Sequence, residues 1–137
     1  MTHEDETEAV DCVGFIICID NNVLAERRRS DRRVMPGILS IPGGHVEAGE
    51  TLEQALAREL LEELNVVVRR SRYVGAYLHR SLELRRLHYF AIDEWTGEIE
   101  NHEAASLHWV PIDDLQRLDL DVDRRAVTAC LAIDPDV

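Results

Sequence analysis

No lysine occurs in these 137 residues: all 15 basic side chains are arginine, set against 27 acidic ones. The net charge of -12 argues against general affinity for duplex DNA, where binding rests on neutralising phosphates. A small phosphorylated ligand stays open, because a bound metal and local arginines invert the field within a cleft. The missing lysine fits a GC-rich coding bias and adaptation to high salt equally well. Cysteine is scarce. Cys12, Cys18 and Cys130 form an odd set without C-x-x-C spacing, which points to packing rather than metal or redox chemistry. Cys12 and Cys18 sit in an apolar run and are expected to be small buried hydrophobes in a reducing cytoplasm. No apolar run reaches the roughly 18 residues of a membrane span. The opening MTHEDETEAV is acidic and has no h-region, so residues 1–9 are expected to be a flexible solvated tail rather than a signal.

What is present is a globular composition, 45% hydrophobic and 31% charged, enough for one domain over 1–137. Val10 to Ile19 is a continuous apolar, β-branched run that reads as a strand covered on both faces. Asp20-Asn21-Asn22 then marks a hairpin turn before Val23 to Ala25. Arg27 to Arg33 carries five arginines without apolar period and reads as an exposed loop. Ile38 to Ile41 makes a short strand into Pro42-Gly43-Gly44. Further strands are expected at Arg72 to His79, Leu84 to Glu94 and Leu107 to Val110, with Trp95-Thr96-Gly97 as a turn. A helical turn should start at Pro111, and Val122 to Ile133 should form a C-terminal helix. Strands mixed with two helices predict an α/β fold, a mixed β-sheet sandwiched between α-helices.

The clearest element is a helix from Leu52. Thr51 and Gln54 are spaced as a capping box, and Leu52, Leu56, Leu60 and Leu64 recur at i+4, with Ala57 and Leu61 expected to widen the stripe. Asn65 stands where a left-handed terminating residue belongs. Glu59, Glu62 and Glu63 fall at i, i+3 and i+4 and share one face, away from the leucines. Like charges so placed oppose helix formation by a few tenths of a kcal/mol per pair. Clustered hard oxygen ligands suit Mg²⁺, with Mn²⁺ as an alternative, and the cation would take its remaining ligands from water and phosphates. The glycine turn lets backbone approach closely.

From Gly44 the chain reads G-x5-E-x7-R-E-L-x-E-E-x-N-V, through Glu50, Arg58, Glu59, Leu60, Glu62, Glu63, Asn65 and Val66. This closely resembles the signature box of the Nudix hydrolases, MutT-like branch, with Asn65 in place of the family glycine. The resemblance runs from the Val10 strand to the C-terminal helix. It implies an α/β/α sandwich and divalent-metal-dependent hydrolysis of a nucleoside diphosphate linked to another group. It also implies metal ligation by the Gly43 carbonyl, Glu59, Glu62 and Glu63, orientation of a box glutamate by Arg58, and bracing of the loop by Glu50. In MutT-type members a further glutamate from a loop outside the box joins the metal shell; alignment of Gly97-Glu98 and Trp109 makes it Glu103 here. By the same resemblance Arg28 is expected to contact a base or phosphate, and Asp123 to face the base, with a helix N-cap as the plainer role for Asp123.

The expected substrate is a nucleoside triphosphate of oxidised, non-standard or cytidine type, giving the monophosphate and pyrophosphate. ADP-ribose or a nucleotide-sugar is the alternative, and a non-catalytic nucleotide-binding regulator is an alternative of another class. The expected partner is a small-molecule nucleotide, with neither duplex nucleic acid nor membrane, and homodimerisation is left open. His79 and His88 read as half-buried strand positions, and Trp95 and Trp109 as core packing rather than base stacking.

Overall fold

The structure, a computed structural model, describes residues 8–133. The expected tail over residues 1–9 therefore lies almost wholly outside the described residues.

The described residues form two four-stranded sheets. In the first, the order is β5 (Gly43–His45), β1 (Val10–Ile16), β7 (Leu84–Thr96) and β6 (Val67–Arg80). β1 runs parallel to β7, and the remaining pairs are antiparallel, so the sheet is mixed. In the second, β3 (Asn22–Arg27) is the hub: β2 (Cys18–Ile19), β4 (Leu39–Ser40) and β8 (Ser106–Pro111) all pair with it antiparallel. Helix α1 (Leu52–Leu64) packs on Val13, Phe15, Ile17, Leu24 and Phe90. Helix α2 (Asp121–Ala132) packs on the opposite face, over Ile16, Val23, Ala25, Tyr89 and Ala91. The expected α/β sandwich is what forms.

The apolar run from Val10 is not one strand. It breaks at Ile17, whose carbonyl accepts from the Leu24 amide at 2.9 Å, and β2 leaves for the second sheet. Asp20 and Asn21 close the β2–β3 hairpin with φ of 51° and 63°, the left-handed pair a two-residue turn requires. Cys18 rides on this hairpin and is exposed, contrary to its expected burial; Cys12 and Cys130 are buried. The strands expected at Arg72 and Leu84 are longer than read, because β6 and β7 pair over nearly their whole length despite bulges. Trp95 packs against the α1-side core as expected, but Trp109, at 41% exposed, does not. The helical turn comes late, as a 3-10 turn at Leu115–Arg117.

Helix α1 starts and stops where its caps dictate. Thr51 Oγ1 accepts from the Gln54 amide at 3.1 Å while Gln54 Oε1 accepts from the Thr51 amide at 2.9 Å. Asn65 ends it at φ 60°, ψ 33°. The buried face differs from expectation: it is Ala55, Leu56, Glu59, Leu60, Glu63 and Leu64, and both Ala57 and Leu61 are exposed. The helix is rotated so that Glu59 and Glu63 share the buried arc with the leucines, and Glu62 alone of the three points outward. That rotation decides the chemistry of the site.

Candidate active site

Gly43 and Gly44 place β5 against β1, with Gly14 paired to Gly43 and Val13 to Gly44. A Cβ on Gly43 would overlap the Val13 carbonyl, and one on Gly44 would overlap the Glu59 carboxyl. Only glycine allows the floor of the site to lie this close to the helix.

Arg58 organises the outer edge. Its guanidinium donates to both Glu50 oxygens, Nε at 2.7 Å and Nη2 at 2.9 Å, a bidentate pair. It also reaches Glu59 at 2.8 Å, Glu62 at 3.2 Å and the His45 carbonyl at 2.9 Å. Glu50 accepts in addition from the Glu47 amide at 2.8 Å. These hydrogen bonds, Arg58 first, hold the Glu50 carboxyl down at about 2 and push Arg58 further up.

The inner edge has no such balance. Glu63 is 5% exposed and its Oε2 has no hydrogen-bond partner among the described residues. Burial, then Glu26, Glu59 and Glu103, push its carboxyl up to about 10. Glu59 is raised as well, by burial first, although Arg58 opposes the shift. Glu103 reaches this group because its loop is tied to the end of α1: the Glu100 amide donates to the Leu64 carbonyl at 2.9 Å and the His102 amide to the Glu63 carbonyl at 3.0 Å. The last helical carbonyls, which lack partners inside the helix, thus recruit the loop. Glu59, Glu62, Glu63 and Glu103 line one pocket with Gly43, Gly44 and Arg58.

Sequence reasoning missed Glu26. It ends the apolar stretch VLAE on β3, is 6% exposed, and is pushed up to about 7 by burial. It sits with Glu63 and Glu103 in the same recess and also lines the neighbouring cleft. The available signal was a charged residue in phase with buried strand positions. Arg32, likewise unremarked, lines both the carboxylate pocket and the cleft, and its charge lowers the raised values of Glu26 and Glu63.

That cleft measures about 580 Å³, its open mouth included, which is the size of a small-molecule site. Arg28 lines it, but most of its guanidinium is engaged with the Val34 and Met35 carbonyls at 3.0–3.2 Å, so it also pins the arginine loop. Asp123 lines the far end and is not a helix N-cap, since Leu120 holds that position. Its oxygens accept from the Ile41 amide at 3.0 Å and the Tyr89 hydroxyl at 2.5 Å. Burial pushes it up to about 6, those two hydrogen bonds limiting the shift.

The donors fit a hard divalent cation. They are carboxylate and backbone oxygens, and one buried carboxylate oxygen is without a partner. Among the described residues no three such side chains already stand in a ligating arrangement, Glu59 being turned toward Arg58.

A family model described as NUDIX domain matches residues 9–131. The chain belongs to the Nudix family. It is 30% identical to an 8-oxo-dGTP diphosphatase of Buchnera aphidicola, over 76% of this chain and 78% of that protein. It is 32% identical to a CTP pyrophosphohydrolase of Escherichia coli K12, over 73% and 74%. A match at 34% identity to the NAD-capped RNA hydrolase NudC of Escherichia coli O1:K1 covers 78% of this chain but only 41% of that protein. The crystal structure of a MutT Nudix hydrolase from Burkholderia pseudomallei superposes with a TM-score of 0.79 at 25% identity, covering 88% of this chain and 97% of that one. This Nudix chain is a hydrolase of pyrophosphate bonds, in a family that generally uses a divalent metal. None of the helices among the described residues is long and apolar enough to cross a membrane.

Proposed function

We propose that this Nudix domain hydrolyses a nucleoside triphosphate of oxidised, non-standard or cytidine type to the monophosphate and pyrophosphate, using Mg²⁺. The observation that carries the reading is the buried Oε2 of Glu63, without a partner among the described residues, set among Glu26, Glu59 and Glu103 beside a cleft that Glu26, Gly43 and Gly44 also line. The 8-oxo-dGTP and CTP enzymes among its relatives support the substrate class.

In this reading Glu59, Glu62, Glu63 and Glu103, with the Gly43 carbonyl, would hold the cation. When bound, it supplies positive charge against the pyrophosphate oxygens and makes water easier to deprotonate. A carboxylate of the cluster takes the proton from the attacking water. Arg58 keeps Glu59 turned and the loop closed through Glu50. Arg28 and Arg32 add charge on the phosphate side, and Asp123 faces the base. Ionised, Asp123 only accepts hydrogen bonds, so it suits a base edge that presents N–H donors.

Formation of the nucleoside monophosphate from a panel of nucleoside triphosphates, ADP-ribose and nucleotide-sugars, with Mg²⁺ and with EDTA, tests the proposal. A preference for one triphosphate, abolished by EDTA, is expected. A preference for ADP-ribose, or turnover that survives EDTA, would overturn it.

A further inference from the structure

Arg85 opens the face of β7 that floors the cleft, in register with Val10 of β1 and His79 of β6. It is only 9% exposed and lines the cleft beside Cys12, Leu87 and Tyr89. A guanidinium carries five N–H donors and no acceptor. Here Nε donates to Glu83 Oε1 at 3.1 Å, and the Nη donors make no hydrogen bond or ion pair with any described residue. The Nη atoms are not sealed in the interior, so their donors remain available to a ligand. Glu83 in turn meets His45 Nε2 at 2.8 Å through the same oxygen. One carboxylate thus ties the loop between β6 and β7 to β5 and fixes the direction of Arg85.

The placement within the cleft gives Arg85 its role. The carboxylate pockets are lined by Arg28, Arg29, Arg32 and Arg58, and Arg85 lines neither of them. It lines only the cleft that Asp123 also lines, whereas Arg28 and Arg32 line that cleft and a carboxylate pocket as well. We propose that Arg85 is a specificity-determining residue whose Nη groups donate to a carbonyl oxygen of the base, and that Glu83 is its positioning residue. This rests on the nucleotide-hydrolase reading above. With a donor at one wall and the acceptor Asp123 at another, the cleft selects bases that carry both a carbonyl oxygen and N–H groups. Guanine, its oxidised form and cytosine qualify. Adenine has no carbonyl oxygen and gains least from Arg85.

The test uses Arg85→Met, which keeps the apolar stem and removes every donor. Dissociation constants of GMP, CMP and AMP are measured by calorimetry on metal-free protein, and kcat and KM on the corresponding triphosphates with Mg²⁺. GMP and CMP should weaken about 10- to 100-fold, as expected for hydrogen bonds from a charged group, and AMP by less than about threefold. The loss should appear in KM rather than kcat. Glu83→Ala should shift the same bases in the same direction by a smaller factor, and Glu83→Gln should restore most of the loss through its amide oxygen. Equal weakening of all three bases, or no weakening, overturns the proposal. So does a Glu83→Ala variant that only melts earlier. If Arg85→Met does not fold, Arg85→Lys, which loses the fork and keeps the charge, must narrow the GMP-to-AMP ratio or the proposal falls. Base-selective binding that depends on Arg85, in a protein that hydrolyses no triphosphate, would uphold this inference and sink the functional reading. Triphosphate hydrolysis with an unaltered base ranking in Arg85→Met would do the reverse.

Discussion

Glu50 and Glu63 belong to one loop-and-helix segment, yet the protein treats their carboxyls in opposite ways. Glu50 is gripped by both arms of Arg58 and by the Glu47 amide, and sits at about 2. Glu63 is buried beside three other carboxyls, has an oxygen without a partner among the described residues, and sits at about 10. Asp123 sharpens the contrast. It is even less exposed than Glu63, 2% against 5%, but two hydrogen bonds to its oxygens keep it at about 6. Burial alone therefore does not set the difference. The outer edge is balanced by an arginine of the chain, while at the inner edge no arginine among the described residues is hydrogen-bonded to Glu63.

The largest effect should come from removing charge at the inner edge. Glu63→Gln keeps the shape and loses a proposed cation ligand, and we expect turnover to fall roughly a thousandfold or more, with the fold intact by circular dichroism. A variant with near-normal turnover would mean that the buried carboxylate is not part of the reaction.

At the outer edge the same measurement should give less. Arg58→Lys keeps the charge but cannot hold Glu50 bidentately while reaching Glu59 and the His45 carbonyl. Groups that orient ligands typically cost about 10- to 100-fold when altered, and that is the expected fall in kcat. A loss as large as that of Glu63→Gln would erase the distinction between the two edges.

Asp123 is predicted to act on choice rather than speed. Asp123→Asn keeps an acceptor but adds a donor, so kcat/KM across cytidine, guanosine and oxidised-guanosine triphosphates should change in rank order, by about tenfold for the most affected base. A uniform loss would leave Asp123 with a purely structural task, holding Ile41 and Tyr89.

Much of this contrast was legible in the chain. Capping residues, the leucine repeat and Asn65 set the limits of α1 at Leu52 and Leu64, because these signals are local. The spacing of Glu59, Glu62 and Glu63 gave a shared face, but not which side of the helix would be buried. That depends on how α1 rolls onto Val13, Phe15 and Leu24, a tertiary choice, and it turned Glu59 and Glu63 inward, onto the leucine side they were expected to face away from. Glu26 and Arg85 were missed for the same reason. Each is a charged residue within a strand, and its value comes from the pockets that residues far away in sequence build around it. The split at Ile17 was hidden too, since apolar continuity does not report a change of sheet.

The inner edge should also be visible in stability without metal. Glu63 ionises near 4.5 in the unfolded chain and near 10 in the folded one. A carboxyl raised on folding contributes stability that is fully present below about 4.5 and is lost as pH rises toward 10. Glu26, raised to about 7, adds to the same loss at lower pH. In EDTA the melting temperature should therefore fall between pH 6 and 9, and Mg²⁺ should offset the fall by binding the native state alone. Glu63→Gln should flatten the profile and melt a few degrees above the parent at pH 8, about 1 kcal/mol in a chain this size. Glu62→Gln should change little, because Glu62 is exposed and paired with Arg58. A steeper profile for Glu63→Gln would place the repulsion elsewhere.

The smallest effect is expected where the two edges meet the helix end. Asn65 takes φ 60° and donates its amide to the Leu60 and Leu61 carbonyls, as a terminating glycine would. Asn65→Gly relieves the modest cost of a left-handed side chain but gives the unfolded chain more freedom to lose. The two terms nearly cancel, leaving a stability change below about 1 kcal/mol of either sign. Turnover should stay within about twofold, because what matters here is the backbone. Gly97 crosses at φ 99°, where an added Cβ would lie 3.0 Å from the Asn65 carbonyl, and from that crossing the chain continues to Glu103. Gly97→Ala should consequently cost more than Asn65→Gly in both melting temperature and turnover. The reverse order, or a tenfold loss in Asn65→Gly, would give the Asn65 side chain a role that its cap geometry does not explain.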